Sequence, residues 1–349
     1  DSRTLTNHLD RLGLQRSSSA ATLLTRFSAA ALADHVMEGL EVYADVVRRA
    51  RLDAEGFEPA RDLALQSLAG IDDDPRQKLL IKLRECHWPW PFGRNAMGET
   101  PDLEALTPDE ARADYQSRYT PANAILAVAG DIDLDRLKDQ VEGLFGDWAA
   151  PAPKPVEAAS TGSKRHFEKQ DTEQTHIGLA YSAVSESHPE YYAARLAIEA
   201  LAGGMSGRLF TEIREKKGLV YSVSANYASL PNLAAVMGYA GTSNERAQQT
   251  LDQFIFELRR LSDGITADEL SRAKIGLKAS TIMSNESSSS RAGALAQDYL
   301  LRGQIRTMQQ ILAAIDGVTL DDVNAYLAGN RASNFTLVIV GPKELEMPA

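Results

Sequence analysis

The sequence predicts an α+β chain built as two homologous tandem domains, and three observations lead there. The second half repeats the first. Gly13-Leu14 followed by Ser17, Ser19 and Ala20 matches Gly218-Leu219 followed by Ser222, Ser224 and Ala225, a shift of 205 (218 − 13). Leu40 and Arg48-Arg49 match Leu251 and Arg259-Arg260, Glu58 and Arg61 match Glu269 and Arg272, and Asn123 and Gly130 match Asn334 and Gly341. All of these lie at a shift of 211 (251 − 40), so one six-residue gap (211 − 205) reconciles the two registers. Both halves also carry period-two strand runs among period-3.6 helical runs. Finally, 349 residues can bury two separate cores.

The elements follow in order. Thr4 to Leu12 reads as a helix stopped by Gly13, and Leu14 to Ala29 as β-like, with Ser and Thr alternating against apolar residues. Ala31 to Ala50 is an amphipathic helix, its Val36, Leu40, Tyr43, Val46 and Val47 recurring near period 3.6. Phe57 to Leu68 is a further helix. Asp72-Asp73-Asp74-Pro75 breaks or caps it, and helix resumes from Arg76 to Arg84. Trp88 to Asp102 is a Pro/Gly-rich loop. Thr107 and Glu110 form a capping box that opens a helix to Arg118. A buried strand is expected at Ala124 to Ala129, and a helix from Leu134 to Phe145.

The Pro- and Ala-rich stretch 151–162 reads as a linker, which sets the expected domains at 1–150 and 163–349. In the repeat register Asp1-Ser2-Arg3 falls opposite Ser206-Gly207-Arg208. The second half therefore has a strand at His176 to Tyr181 and a helix at Glu190 to Ala202 with no counterpart in the first. The first domain is expected to start partway, without its N-terminal strand–helix segment.

Bulk properties exclude some classes. A net charge of −11, spread along the chain, argues against nucleic acid or an anionic membrane surface as partner. No apolar run approaches the ~20 residues of a membrane helix. The first residues are polar and helix-like, unlike a signal peptide. One cysteine, Cys86, excludes an internal disulfide but leaves the compartment open between cytoplasm and periplasm.

The stretch Gly203 to Ala225 has the most chemistry. Gly203-Gly204 is a hinge. Ser206 to Lys217 is a helix expected to bury Leu209, Phe210 and Ile213 and to expose Glu212, Glu215 and Lys216. Gly218 suits its C-cap, and Leu219 to Ala225 alternates as a strand, with Tyr221 and Val223 on one side. The corner brings Arg214 and Tyr221 near one another. A guanidinium and a phenol there can donate to a carbonyl or an oxyanion. On spacing alone the plainer reading, an exposed helix arginine and a half-buried strand tyrosine, is favoured.

GGMSGRLFTEIREKKGLVYSV resembles the hallmark of the C-terminal half of the pitrilysin/insulinase family. These are inverted-motif (inverzincin) zinc peptidases that include mitochondrial processing peptidase. Pro91-Phe92-Gly93-Arg94 with Gly98 resembles the family's loop before a Leu-Thr helix. Leu106-Thr107 through Tyr119, Pro121 and Asn123 to Val128-Ala129-Gly130-Asp131 resembles its helix–strand segment. The resemblance implies a clamshell of two domains, each a mostly antiparallel sheet packed with helices. It implies zinc on an H-x-x-E-H helix of the first domain, with a distant glutamate as third ligand. It also implies a substrate-binding arginine and tyrosine in the second domain, which here match Arg214 and Tyr221.

The metal ligands do not carry over. No H-x-x-E-H occurs, and no histidine has a second at helical spacing. Phe57 to Ser67, followed by Asp72 to Pro75, resembles the third-ligand helix. The ligand glutamate falls at Ser67 and its supporting glutamate at Ala60, and a one-residue slip would offer only Gln66. His35 and Glu38, three apart on one helix, read as a solvated face, and Cys86-His87 as packing. The pattern resembles the family's non-catalytic members. It implies a substrate-binding subunit with no cofactor of its own, paired with a homologous zinc-bearing subunit or with itself. One alternative is an active zinc metalloendopeptidase whose H-x-x-E-H lies outside this sequence, using Asp62 or one of Asp72 to Asp74 as third ligand. Another is a structural core-type subunit, as in the respiratory cytochrome bc complex, with the Arg/Tyr pair idle.

Overall fold

Helix boundaries fall where capping residues put them. The structure, a computed structural model, describes residues 2–150, 156–159 and 163–348. Helix α1 (Ser2–Arg11) leads into a hairpin of β1 (Gln15–Ala20) and β2 (Thr25–Ala30). Then come α2 (Val36–Arg48), α3 (Ala54–Asp72), α4 (Pro75–His87), α5 (Thr100–Ala105), α6 (Pro108–Arg118) and α7 (Leu134–Phe145). The second half contains β3 (Arg165–Lys169), β4 (Gln174–Ala183), α8 (Tyr191–Ala202) and a π-helix at Leu209–Lys216. It continues with β5 (Ser222–Leu230), β6 (Leu233–Ser243), α9 (Ala247–Arg260), α10 (Ala267–Ser284), α11 (Ser288–Arg302), α12 (Met308–Gly317), α13 (Leu320–Gly329) and β7 (Thr336–Gly341).

The Asp run works as expected. The Asp74 carboxylate accepts the Gln77 N–H at 3.0 Å, Pro75 takes the first helical position, and α4 starts there. Thr107 and Glu110 form the reciprocal capping box of α6. The repeat register is visible in the helices: α2 begins at Val36 and α9 at Ala247, 211 residues on (247 − 36).

One expected element is absent. Ala124 to Ala129 forms no strand, and Ile125 and Leu126 are 41% and 50% exposed. A strand exists only through its neighbours. The repeat-mate β7 is held between β3 and β4, whereas no described strand lies beside Ala124 to Ala129. The run is apolar, but it is neither a strand nor buried, and no described strand pairs with it. Of the linker expected at 151–162, residues 151–155 and 160–162 lie outside the described residues, and 156–159 carry no helix or strand.

The chain divides into two compact units that do not follow the halves of the sequence. One comprises Asp1–Gly70, Asn95–Glu157 and Glu286–Ala296; the other comprises Ile71–Arg94, Ala158–Asn285 and Gln297–Ala349. The two exchanged segments are themselves repeat-mates, since Pro75 falls on Glu286 (75 + 211). In the first unit, β1 and β2 pair antiparallel, and Leu9, Leu12 and Leu14 pack with Ala31, Val42 and Tyr43.

The second unit is built on a five-stranded sheet in the order β3-β7-β4-β6-β5. Only β3 and β7 run parallel; the other pairs are antiparallel. Strand period two sorts its side chains onto two buried faces. Ile177, Leu179, Val236, Ala240, Leu337 and Ile339 enter the main core with Leu196, Leu251 and Phe254. Ala180, Tyr239, Val338 and Val340 point the other way, where Leu79, Leu83 and Cys86 of α4 cover them. Helix α4 lies close because Gly178 has no side chain; a Cβ there would stand 2.8 Å from Leu79 Cδ2.

Candidate functional site

The corner that carries Arg214 and Tyr221 lies in the second unit and is built differently from the expected α-helix. A short turn of 3₁₀ helix at Gly204–Ser206 precedes it, and Leu209–Lys216 is wound as a π-helix. Such windings are rare and concentrate at functional sites. Leu209 and Ile213 are buried as expected, and Phe210 is half-buried. Glu212, expected on the exposed face, is half-buried. Lys216 Nζ at 2.9 Å and Arg260 Nη2 at 3.7 Å draw its carboxylate inward.

The helix ends at Gly218, whose φ of +60° is the left-handed conformation glycine adopts at least cost. Its N–H donates to Arg214 O at 3.1 Å, and the Leu219 N–H donates to Ile213 O at 3.0 Å. Leu219 and Val220 are both buried. The Tyr221 N–H then donates to Gly241 O at 2.9 Å, and β5 begins at Ser222. Tyr221 therefore still belongs to the turn. It is 63% exposed, while Val223, expected on the same side, packs against the core.

Arg214 is exposed as well. Its guanidinium carbon stands 5.0 Å from the centre of the Phe210 ring, a cation–π contact. Among the described residues, Arg214 makes no ion pair and the Tyr221 hydroxyl no hydrogen bond, so both donors are free. The two side chains leave from the two ends of one glycine-capped corner.

The expected metal positions do not fit zinc. Ala60 and Ser67 both lie exposed on α3, and the Ser67 hydroxyl donates to Leu63 O of its own helix at 2.8 Å. Asp74 is committed to capping α4, and Asp72 pairs with Lys78 at 2.9 Å. Glu38 faces His8 at 3.6 Å rather than building a site with His35. His87 is buried at 4% exposure against Thr336, Nδ1 to Oγ1 2.9 Å, and Cys86 packs beside it in the α4 cluster. Among the described residues no group of three or more His, Cys, Asp or Glu is arranged to hold a metal.

Residues 105–277 match the family model described as the peptidase M16 inactive domain. An uncharacterized zinc protease of Mycobacterium tuberculosis is 30% identical over 342 residues, covering 96% of this chain and 78% of that protein. The chain belongs to the peptidase M16 family. The uncharacterized zinc protease YmxG of Bacillus subtilis is 27% identical, covering 97% of this chain and 84% of YmxG. The α+β fold agrees with solved M16 structures. A peptidase M16 inactive domain from Pseudomonas fluorescens superposes with a TM-score of 0.88 at 20% identity, over 100% of this chain and 85% of that one. A protease from Helicobacter pylori gives 0.83 at 21% identity, over 96% and 84%. The zinc-peptidase resemblance drawn from Gly203 to Ala225 is thus borne out at the level of family and fold.

The sequence pointed to Arg214 and Tyr221 but not to the groups that hold their corner. Thr242 of β6, Thr250 of α9 and Arg246 of the 3₁₀ turn between them approach from twenty or more residues away in sequence, and no local periodicity marks them.

Proposed function

We propose that this M16 chain is a non-catalytic, substrate-binding subunit of a zinc metallopeptidase. Arg214 and Tyr221 are its peptide contacts, donating to substrate carbonyls. The zinc belongs to a homologous partner subunit. The observation that carries this reading is an asymmetry. The Arg/Tyr corner keeps both donors exposed and free, whereas Ala60 and Ser67 offer no carboxylate and the Ser67 hydroxyl is turned back onto its own helix. On this reading 1–150 and 163–349 descend from one duplicated unit. The first has lost the metal-binding role and the second has kept the substrate contacts.

A second reading, an active zinc endopeptidase, is favoured by one observation: relatives that this chain matches over 78% and 84% of their length are named zinc proteases. Mixing separates the two. A subunit of the proposed kind shows no peptidase activity alone, gains it with a zinc-bearing M16 partner, and loses it again in Arg214→Ala. Activity of the full-length protein alone would decide for the second reading.

A further inference from the structure

The connection between Arg214 and Tyr221 is clamped from outside by two fully buried hydroxyls and a guanidinium. Only Lys217 to Val220 separate the last π-helical residues from Tyr221. The Gly218 and Leu219 N–H groups are bonded back to the helix, as described above. Their carbonyls are taken by Thr242 of β6, Thr250 of α9 and Arg246 of the short 3₁₀ turn between them. Thr242 Oγ1 donates to Leu219 O at 2.5 Å, and Thr250 Oγ1 stands 3.1 Å from Thr242 Oγ1 and 3.4 Å from the same carbonyl. Arg246 Nη1 donates to Gly218 O at 2.5 Å. Thr242 and Thr250 are both 0% exposed. Isolated buried hydroxyls are costly, so their burial together on one carbonyl calls for a reason.

The internal repeat supplies a comparison within the same molecule. At a shift of 205, Arg214 and Tyr221 correspond to Leu9 (214 − 205) and Arg16 (221 − 205). At 211, Thr242, Thr250 and Arg246 correspond to Ala31 (242 − 211), Gly39 (250 − 211) and His35 (246 − 211). The first-half corner has the same glycine, with Gly13 at φ +63°, but its helix is an ordinary α-helix. There the Leu14 N–H reaches back five residues to Leu9 O at 3.1 Å, whereas Leu219 reaches back six to Ile213. The half without the Arg/Tyr pair thus lacks both hydroxyls and the π winding. The half with the pair has all of them. Corner geometry alone does not need the clamp.

We infer that Thr242 and Thr250, with Arg246, are positioning residues for the Arg214–Tyr221 pair: they fix the Gly218–Leu219 carbonyls and so set the interval between the two substrate donors. This rests on the substrate-contact reading above. The clamp acts through backbone orientation rather than by touching peptide. Its loss therefore misplaces both donors together and leaves their chemistry unchanged.

The test is a double-mutant cycle on the full-length protein, read by fluorescence anisotropy with a fluorescein-labelled, unstructured Ala/Ser peptide. Thr242→Val keeps the shape and removes the hydroxyl; it is expected to weaken binding about three- to tenfold, the range of one net hydrogen bond. Thr242→Ser restores the donor and is expected to restore affinity. In an Arg214→Ala, Tyr221→Phe background Thr242→Val is expected to have no further effect on affinity, while its effect on melting temperature persists. Thr250→Val serves as the second variant should Thr242→Val fold poorly. If Arg214→Ala and Tyr221→Phe weaken binding but neither threonine variant does, or if the threonine effect survives in the double background, the positioning role is overturned and the substrate contact stands. If Arg214→Ala and Tyr221→Phe leave affinity unchanged, the substrate-contact reading falls and this inference falls with it.

Discussion

At the scale of single residues, the proposed substrate contacts and the groups that stabilise the fold are different side chains. Among the described residues the exposed Arg214 and Tyr221 side chains make no bond beyond the contact of Arg214 with Phe210, so truncating them is expected to leave the fold intact. In a reconstituted complex Arg214→Ala is expected to lower kcat/KM about 100-fold, the scale of losing one preorganised donor to developing charge. Tyr221→Phe, which deletes a single hydroxyl, should lower it about tenfold. Steady-state kinetics with unchanged melting temperatures would bear this out. Arg208 and Glu269 are the opposite case. Their side chains are 13% and 15% exposed and meet in a two-pronged pair at 2.5 and 2.8 Å, and Glu269 also closes the capping box of α10. Chiefly through the Arg208 hydrogen bonds, the carboxyl is held down at about 2. A depressed carboxylate stabilises the fold above its ordinary titration range, and that contribution fades as pH falls from about 4.5 towards about 2. Glu269→Gln is expected to cost about 2–3 kcal/mol in a denaturant titration at neutral pH, somewhat less than breaking a wholly buried pair.

At the scale of elements, the docking of α4 on the sheet is the feature with the sharpest consequence. Three of the six histidines sit in it. His87 on α4 meets Thr336, with Lys164 nearby. His176 on β4 meets the Tyr239 hydroxyl at 2.9 Å, with Asp74 and Arg76 beside it. His166 on β3 faces Lys82, Glu85 and Glu168. Desolvation lowers all three, His87 from 6.5 to about 4, with Lys164 adding to the effect. Above about pH 6.5 the neutral rings cost nothing. As pH falls towards 4, the unfolded chain takes up a proton that the buried His87 refuses, and stability is lost. For His87 alone the loss between about pH 7 and about pH 5 is roughly 2 kcal/mol. A His87→Asn variant, read by denaturant midpoints across that range, should show a shallower pH slope than the parent. An equal slope would remove His87 as the cause. The same interface gives a packing test. Leu79 is 0% exposed between Gly178 and the sheet, and Leu79→Ala is expected to cost about 3–4 kcal/mol.

At the scale of the whole molecule, the duplication was legible because it leaves matched residues at fixed shifts, and the caps were legible because their chemistry is local. Asp74, Thr107 and Gly218 each announce a helix end through a neighbour three or four residues away. What stayed hidden depends on distant partners. Ala124 to Ala129 has the composition of a strand but no strand partner among the described residues. Helix α4 carries the apolar cluster Leu79, Leu80, Ile81 and Leu83, which does not say which sheet it covers. The eight π-helical residues are too few to tell a slightly wider turn from 3.6 by apolar spacing. The Thr242–Thr250 clamp converges on Leu219 across 23 and 31 residues and carries no sequence signature.

The central claim is that an M16 chain with a free Arg/Tyr corner and no zinc ligands binds substrate for a partner that holds the metal. Zinc stoichiometry of the full-length protein, measured after incubation with excess zinc and exhaustive dialysis, tests it most directly. The account predicts no stoichiometric zinc on the isolated protein. One tightly held zinc per chain would contradict it and make the protein an active peptidase with a ligand set of its own.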